Sequence, residues 1–283
     1  MVLVIDPQAP FGAAVMRALG PGAARGVPFD PEAITRAAHG CAHIVIGGLA
    51  PDWRTWAAVI DAAVAASTEH RASIVHHVGV DGLKVIYGVP LPPFAPKGEA
   101  IDQIGAEGRL ANLLEDQLQQ HAEVNQLRVL LVRSGDVFGP GVTLGYGAAS
   151  AGAAGSGAPL PWYGPRDLPH AFTYIDDVAS LALAAVAVAD RPDFEIVNVP
   201  GHIVTAEEWA RAWGAPGVRG IPHFVVRARA WVDPRWKPLA AGLWGWVGTV
   251  MLNELPTRAL LPGWTGVPLP DAIGATLAAA RGR

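Results

Sequence analysis

The chain opens Met1-Val-Leu-Val-Ile-Asp-Pro-Gln-Ala-Pro-Phe-Gly12. Val2 to Ile5 is a short β-branched and apolar run, which reads as a buried strand. A tight turn follows, and then an Ala-rich helix begins near Phe11. In strand–turn–helix units that bind dinucleotides, glycines let the backbone approach a pyrophosphate, and free N–H groups at the helix start hold it. This turn carries Asp6, Pro7 and Pro10 instead. Each proline removes an N–H donor, and a carboxylate facing the phosphates would repel them. Of the usual glycines only Gly12 remains, where it lets helix and strand pack closely.

The same alternation continues downstream. Val27–Phe29, His43–Ile46, Ser73–Val78 and Val129–Val132 read as strands, and the stretches 11–19, 31–39, 53–67 and 105–121 as helices. Alternating strands and helices imply a parallel sheet covered on both faces, so the expected class is α/β, a doubly wound Rossmann-like sheet. Ligands of such sheets lie outside the carboxyl ends of the strands. That rule gathers Asp6, Gly47-Gly48, His77-Val78-Gly79 and Ser134-Gly135-Asp136 around one crevice. The Gly/Ala/Ser stretch from Gly145 to Gly157 reads as a soft helix or a loop over it. From about residue 159 the composition shifts, and seven of the ten tryptophans fall between Trp209 and Trp264. The expected organisation is a Rossmann-like domain over 1–158, with 159–283 completing the sheet and forming a small Trp-rich, substrate-binding lobe.

Bulk properties narrow the partners. The 283 residues are half apolar, enough for a full core, and the net charge is −4. There is no Lys/Arg block, which argues against nucleic acid and anionic membrane as partners. The longest apolar stretch, Leu239 to Leu252, has 14 residues including three glycines. A membrane span needs about 20. The single cysteine, Cys41, forms no internal disulfide and suits a reducing cytoplasm, the expected location. No cluster with metal-ligand spacing stands out, so no metal is expected.

Five ordered segments resemble the extended short-chain dehydrogenase/reductase family, the NAD-dependent epimerase/dehydratases. They are Ile86-Tyr-Gly88 with the Pro-rich run to Glu99, Arg133-Ser-Gly-Asp-Val-Phe-Gly-Pro-Gly141, and His170-Ala-Phe-Thr-Tyr-Ile-Asp-Asp-Val-Ala179. Phe194-Glu-Ile-Val-Asn-Val-Pro-Gly201 and Pro262-Gly-Trp264 complete the set. The resemblance implies a dimer through the two helices beside the crevice. It also implies a Ser/Thr, a tyrosine and a lysine four residues later as the redox machinery. Here the helix reads Gly105-Ala-Glu-Gly-Arg109, with glycine at the tyrosine position and Arg109 at the lysine position. Asp30 lies 18 residues after Gly12, near the roughly 20 expected of an acid that binds the adenosine ribose. Val27–Phe29 is then the second strand, and the edge strand beyond it is missing. The alternative deletes the second strand and aligns Phe29-Asp-Pro-Glu with the third. The first is preferred, since losing an edge strand leaves less unpaired backbone.

His76 and His77 point to opposite faces of their strand, and His77, nearer its carboxyl end, is the favoured general acid or base. Asp136 stands where the resemblance places a substrate-contacting asparagine. With Tyr87 these form the expected catalytic set, His77 being supported by Asp136 or Tyr87. Arg133, His76, Arg109, His170, Tyr174 and Trp162 are the candidate substrate contacts, and Gly12 and Asp30 the residual cofactor contacts. Asp176 or Asp177 reads as the N-cap of the following helix. The favoured function is nicotinamide-independent acid/base chemistry (isomerisation, elimination or cyclisation) on a small, apolar or ring-shaped metabolite. A non-catalytic ligand- or partner-binding relative and an NAD(P)-dependent oxidoreductase or epimerase with a rebuilt loop are the alternatives.

Overall fold

The computed structural model describes residues 1–48, 53–79, 106–143, 145–233, 236–246 and 252–282. Its centre is a six-stranded parallel sheet. The strands are β1 (Val2–Ile5), β2 (Ala24–Val27), β3 (His43–Ile46), β4 (Ser73–Val78), β5 (Val129–Arg133) and β9 (Phe194–Asn198), ordered β2-β1-β3-β4-β5-β9. These strands are apolar in continuous runs because both faces are covered. Leu3, Ile5, Ile44, Ile46, Ile74 and Leu131 face α2 (Pro31–Ala37), α3 (Trp53–His70) and α4 (Ala106–Asn125). Their neighbours Val4, Val45, Val75, Leu130 and Val132 face α1 (Pro10–Leu19) and α6 (Ile175–Val186).

Among the described residues the sheet ends at β2, and residues 28–42 contain a helix but no strand. The edge strand is thus the missing one, in line with the preferred spacing. The strand itself runs 24–27 rather than 27–29: Pro28 has no N–H for the ladder, and Asp30 turns away to accept from the Glu32 N–H as N-cap of α2. The stretch 145–157 forms a helix, α5 (Gly145–Gly155). Neither Asp176 nor Asp177 caps α6. The N-cap is Tyr174, whose side chain makes no capping bond to the helix N–H groups. Asp176 pairs with Arg17 of α1, and Asp177 accepts from the Val267 N–H.

A second layer is built on β6 (Asp136–Phe138), which runs parallel to β8 (His170–Tyr174), itself antiparallel to β10 (His202–Val204). β7 (Leu160–Trp162) pairs with β11 (Val218–Gly220), and α7 (Ala206–Ala212) carries a capping box, Thr205 with Glu208. The aromatic residues of this lobe are its core. Phe172 stacks on Trp209 at 3.9 Å, and Tyr146 lies at 5.2 Å from Phe172 and 4.7 Å from Trp246. Among the described residues no helix is long and apolar enough to cross a membrane, and no group of three or more His, Cys, Asp and Glu is placed to hold a metal.

His76 is buried edge-on to Trp56 of α3, at 6.0 Å, with neither ring nitrogen in hydrogen-bond geometry. Burial pushes its pKa down to about 4, against a smaller opposing effect of the Ile46 backbone. A depressed histidine pKa means that the unfolded chain binds the proton first. Stability from His76 is therefore present above pH 6.5 and lost as pH falls towards 4. His76→Phe should remove this loss. Thermal melts of variant and wild type should diverge in the variant's favour below pH 6.5, by at most about 3 kcal/mol.

Candidate functional site

Two turns at the carboxyl edge of the sheet define the site. The first joins β1 to α1. Asp6 holds a left-handed backbone at φ 56°, the conformation a glycine normally supplies, and its carbonyl accepts from the Ala9 N–H at 3.3 Å. A Cβ on Gly12 would sit 2.3 Å from that carbonyl, so only glycine permits this crossing. The Asp6 carboxylate turns towards Gly48, where a Cβ would come within 2.5 Å of Oδ2. Pro7 fills the space over Gly26 of β2, where a Cβ would meet the ring at 2.8 Å. The turn thus combines a left-handed Asp6 backbone and a close Gly12 crossing with a carboxylate and prolines.

The second turn, Ser134-Gly135-Asp136, joins β5 to β6. A Cβ on Gly135 would lie 2.3 Å from the Ala171 carbonyl, and the Gly135 N–H donates to Thr173 Oγ1 at 2.9 Å. This contact presses the turn against β8, and Asp136 comes into register with Phe172. One side-chain period back along β8 lies His170, whose Nε2 donates to Asp136 Oδ2 at 2.5 Å. His170 is fixed from behind by Trp246, stacked at 3.9 Å and 15°. Its side chain is 4% exposed, against 26% for Asp136, so the carboxylate is the member of the pair that reaches solvent.

His77 lies on the α1 face of β4, 5.1 Å from Phe11, with Nε2 2.8 Å from Ser134 Oγ. The Ser134 hydroxyl donates to the Gly135 carbonyl at 3.0 Å. Every group is satisfied when His77 carries its proton on Nε2, which leaves Nδ1 as an acceptor. Burial, with a smaller effect of His76, pushes the His77 pKa down to about 3 even though the ring is not fully enclosed. It is neutral at physiological pH.

The remaining sequence-derived candidates separate. His77 is bonded to Ser134 and not to Asp136, because the two further residues of chain carry Asp136 onto the second layer. Asp136 instead meets His170, which is neither on a surface loop nor distant. Arg133 reaches Glu115 of α4 at 2.5 Å in a nearly buried ion pair, so it anchors that helix and not Asp136. Tyr174 donates to Asp176 at 3.1 Å, within the network that ties α1 to α6. Trp162 is 1% exposed, with its N–H donated to the Pro165 carbonyl. It packs the lobe interior. His76 faces α3, and Asp30 is engaged with its own helix. Tyr87 lies outside the described residues, as does the side chain of Arg109, whose backbone belongs to α4.

Sequence reasoning placed Ser134 at the crevice without giving it a role, and did not single out Thr173, Tyr146 or Trp246 as site residues. The signal for Ser134 was available, since it follows β5 next to the end of β4. Tyr146 carries a buried hydroxyl with no geometric hydrogen bond, and burial holds its pKa well above the phenol range, with Ser150 opposing the rise. Long-range ¹H–¹⁵N spectra should show His77 as the neutral Nε2–H tautomer from pH 8 to pH 5. Titration of this ring near pH 6.5 would contradict the Ser134 arrangement.

No family model matches the sequence, and no curated protein matches it. Solved structures do. UDP-N-acetylglucosamine 4-epimerase from Bacillus cereus matches with 13% identity and a TM-score of 0.70, over 100% of this chain and 96% of that one. UDP-glucose 4-epimerase from Thermus thermophilus, in complex with NAD, shares 19% identity at a TM-score of 0.69, over 99% of both chains. A nucleoside-diphosphate-sugar epimerase from Pseudomonas aeruginosa shares 16% at 0.68, over 99% and 97%. The chain has, over its whole length, the fold of the sugar epimerases that its sequence motifs resemble.

Proposed function

We propose that this protein is an enzyme that performs nicotinamide-independent acid/base chemistry on a small metabolite bound at the carboxyl edge of the sheet. The observation that carries the reading is the Asp136–His170 pair: a solvent-reaching carboxylate oriented by a buried, stacked imidazole. His170 occupies Oδ2 and leaves Oδ1 to take a proton from carbon or oxygen of a substrate. The imidazole stabilises the carboxylate and fixes its angle. His77, with Nδ1 as acceptor, is a second group that accepts a hydrogen bond from substrate at the neighbouring strand end. Isomerisation, elimination and cyclisation all require such paired proton positions. The apolar and aromatic surroundings favour an apolar or ring-shaped substrate.

Independence from nicotinamide is supported by the first turn. A pyrophosphate there would face the Asp6 carboxylate in place of glycine N–H groups, and Asp30 is committed to the Glu32 N–H. A second reading, an NAD(P)-dependent epimerase, is favoured by one observation. The backbone of the turn is retained, with Asp6 at positive φ and Gly12 in close approach.

Calorimetric titration separates the two. On the favoured reading NAD, NADH, NADP and NADPH bind no more tightly than about millimolar, and Asp6→Gly strengthens binding. Micromolar affinity of the wild type for any of them establishes the second reading instead.

Proton-transfer activity is tested by incubating the protein with a pool of small metabolites in D₂O without nicotinamide. Mass spectrometry should show enzyme-dependent deuterium incorporation or isomer formation. Asp136→Asn should lower that rate roughly a hundredfold or more, with an unchanged melting profile. Equal rates in wild type and variant would remove Asp136 from the mechanism.

A further inference from the structure

Helix α8 (His223–Val232) presents an unusual surface. It is held to the lobe by Val226 and Ala230, which are buried, and by His223, which donates to the Tyr163 carbonyl. The opposite side carries Phe224, Trp231 and Val232, exposed by 72%, 91% and 82%. At about 100° per residue, Trp231, Phe224, Ala228 and Val232 follow one another around a single arc of roughly 100°. Arg227 borders that arc on one side and Arg229 on the other, both exposed. Arg229 lies over the Trp236 ring at 4.9 Å. The helix contains no acidic residue, and Asp233 follows as its C-cap.

Scattered exposed apolar residues are ordinary, but three large ones on one arc of a rigid helix are not. A twofold pairing of this face with a second copy would set the arginine borders of one helix beside those of the other, bringing like charges together. A surface that is apolar within and negatively charged at its boundary fits both features. Aromatic side chains enter the interface between headgroups and acyl chains, and flanking arginines meet the anionic headgroups. We propose that α8 docks this protein peripherally on an anionic lipid bilayer, with Phe224, Trp231 and Val232 inserted and Arg227 and Arg229 on the headgroups. The overall charge of −4 and the lack of a Lys/Arg block argue against attraction of the chain as a whole to an anionic membrane, but screening confines electrostatic attraction to within about 8 Å of the surface, so Arg227 and Arg229 beside the apolar arc decide docking locally.

The test is co-sedimentation of the full-length protein with vesicles. Phosphatidylcholine alone is compared with an equal mixture of phosphatidylcholine and phosphatidylglycerol. The protein should sediment with the mixed vesicles and far less with the neutral ones, and high salt should release it. Trp231→Glu should reduce partitioning more than tenfold, and Arg227→Gln about fivefold, both with unchanged melting profiles because these side chains are exposed. Absence of sedimentation with either vesicle overturns the proposal, as does equal binding by the Trp231→Glu variant or equal binding to neutral vesicles. A concentration-dependent dimer abolished by Trp231→Glu, without vesicle binding, would assign the face to a second copy.

Discussion

Three backbone segments meet where the first strand gives way to the first helix. A Cβ on Gly12 would strike the Asp6 carbonyl, and a Cβ on Gly47 would strike Gly12 Cα at 2.7 Å and the Ile5 and Asp6 carbonyls at 2.8 Å. This close approach sets α1 across the ends of β1 and β3, and much of the molecule takes its position from it. Phe11, one residue before Gly12, is brought against His77 on β4. Six residues beyond Phe11 on the same helix, Arg17 reaches Asp176 at 2.5 Å and the Pro140 carbonyl at 3.2 Å, joining the helix to the second layer. Larger side chains at Gly12 or Gly47 would disrupt the sheet edge on which both candidate turns depend.

That constraint is one of backbone shape, and it outlasts the chemistry of the side chains. Asp6 occupies the left-handed region at a cost of about 1–2 kcal/mol relative to glycine. The turn persists because the surrounding strands over-determine it. A carboxylate and two prolines stand in a turn that holds a glycine-like backbone, so its shape is kept while its side chains are not those of a glycine-rich loop. The second turn combines them differently. Gly135 is pressed on β8, and the residues on either side of it, Ser134 and Asp136, each receive a histidine from a different sheet.

The tryptophans divide between two roles. Trp162, Trp209, Trp213 and Trp246 are enclosed, and Trp246 holds His170 in place behind Asp136. Trp231 stands almost fully in solvent on a helix whose other side is packed into the same lobe. The lobe therefore serves inward as the support of a polar pair and outward as an amphipathic surface, through residues of one type placed on different elements.

The sequence by itself determined the parallel sheet and the bounds of β1, β3 and β4, and it favoured the loss of an edge strand over that of an interior one. Continuous apolar runs with short alternating helices admit few other arrangements, and each of these signals is local. It also determined that the first turn lacks the glycines of a dinucleotide-binding loop, because Asp6, Pro7 and Pro10 are residue types that need no partner to be read. Only the tertiary structure decided that His170 belongs to Asp136, that His77 belongs to Ser134, and that Arg133 belongs to Glu115. These pairs lie 34, 57 and 18 residues apart and span different strands, sheets and helices. Nothing in local pattern or propensity selects one distant partner over another. For Asp136 and His170 the selection is made by the approach of Gly135 to β8, which is a contact between backbones.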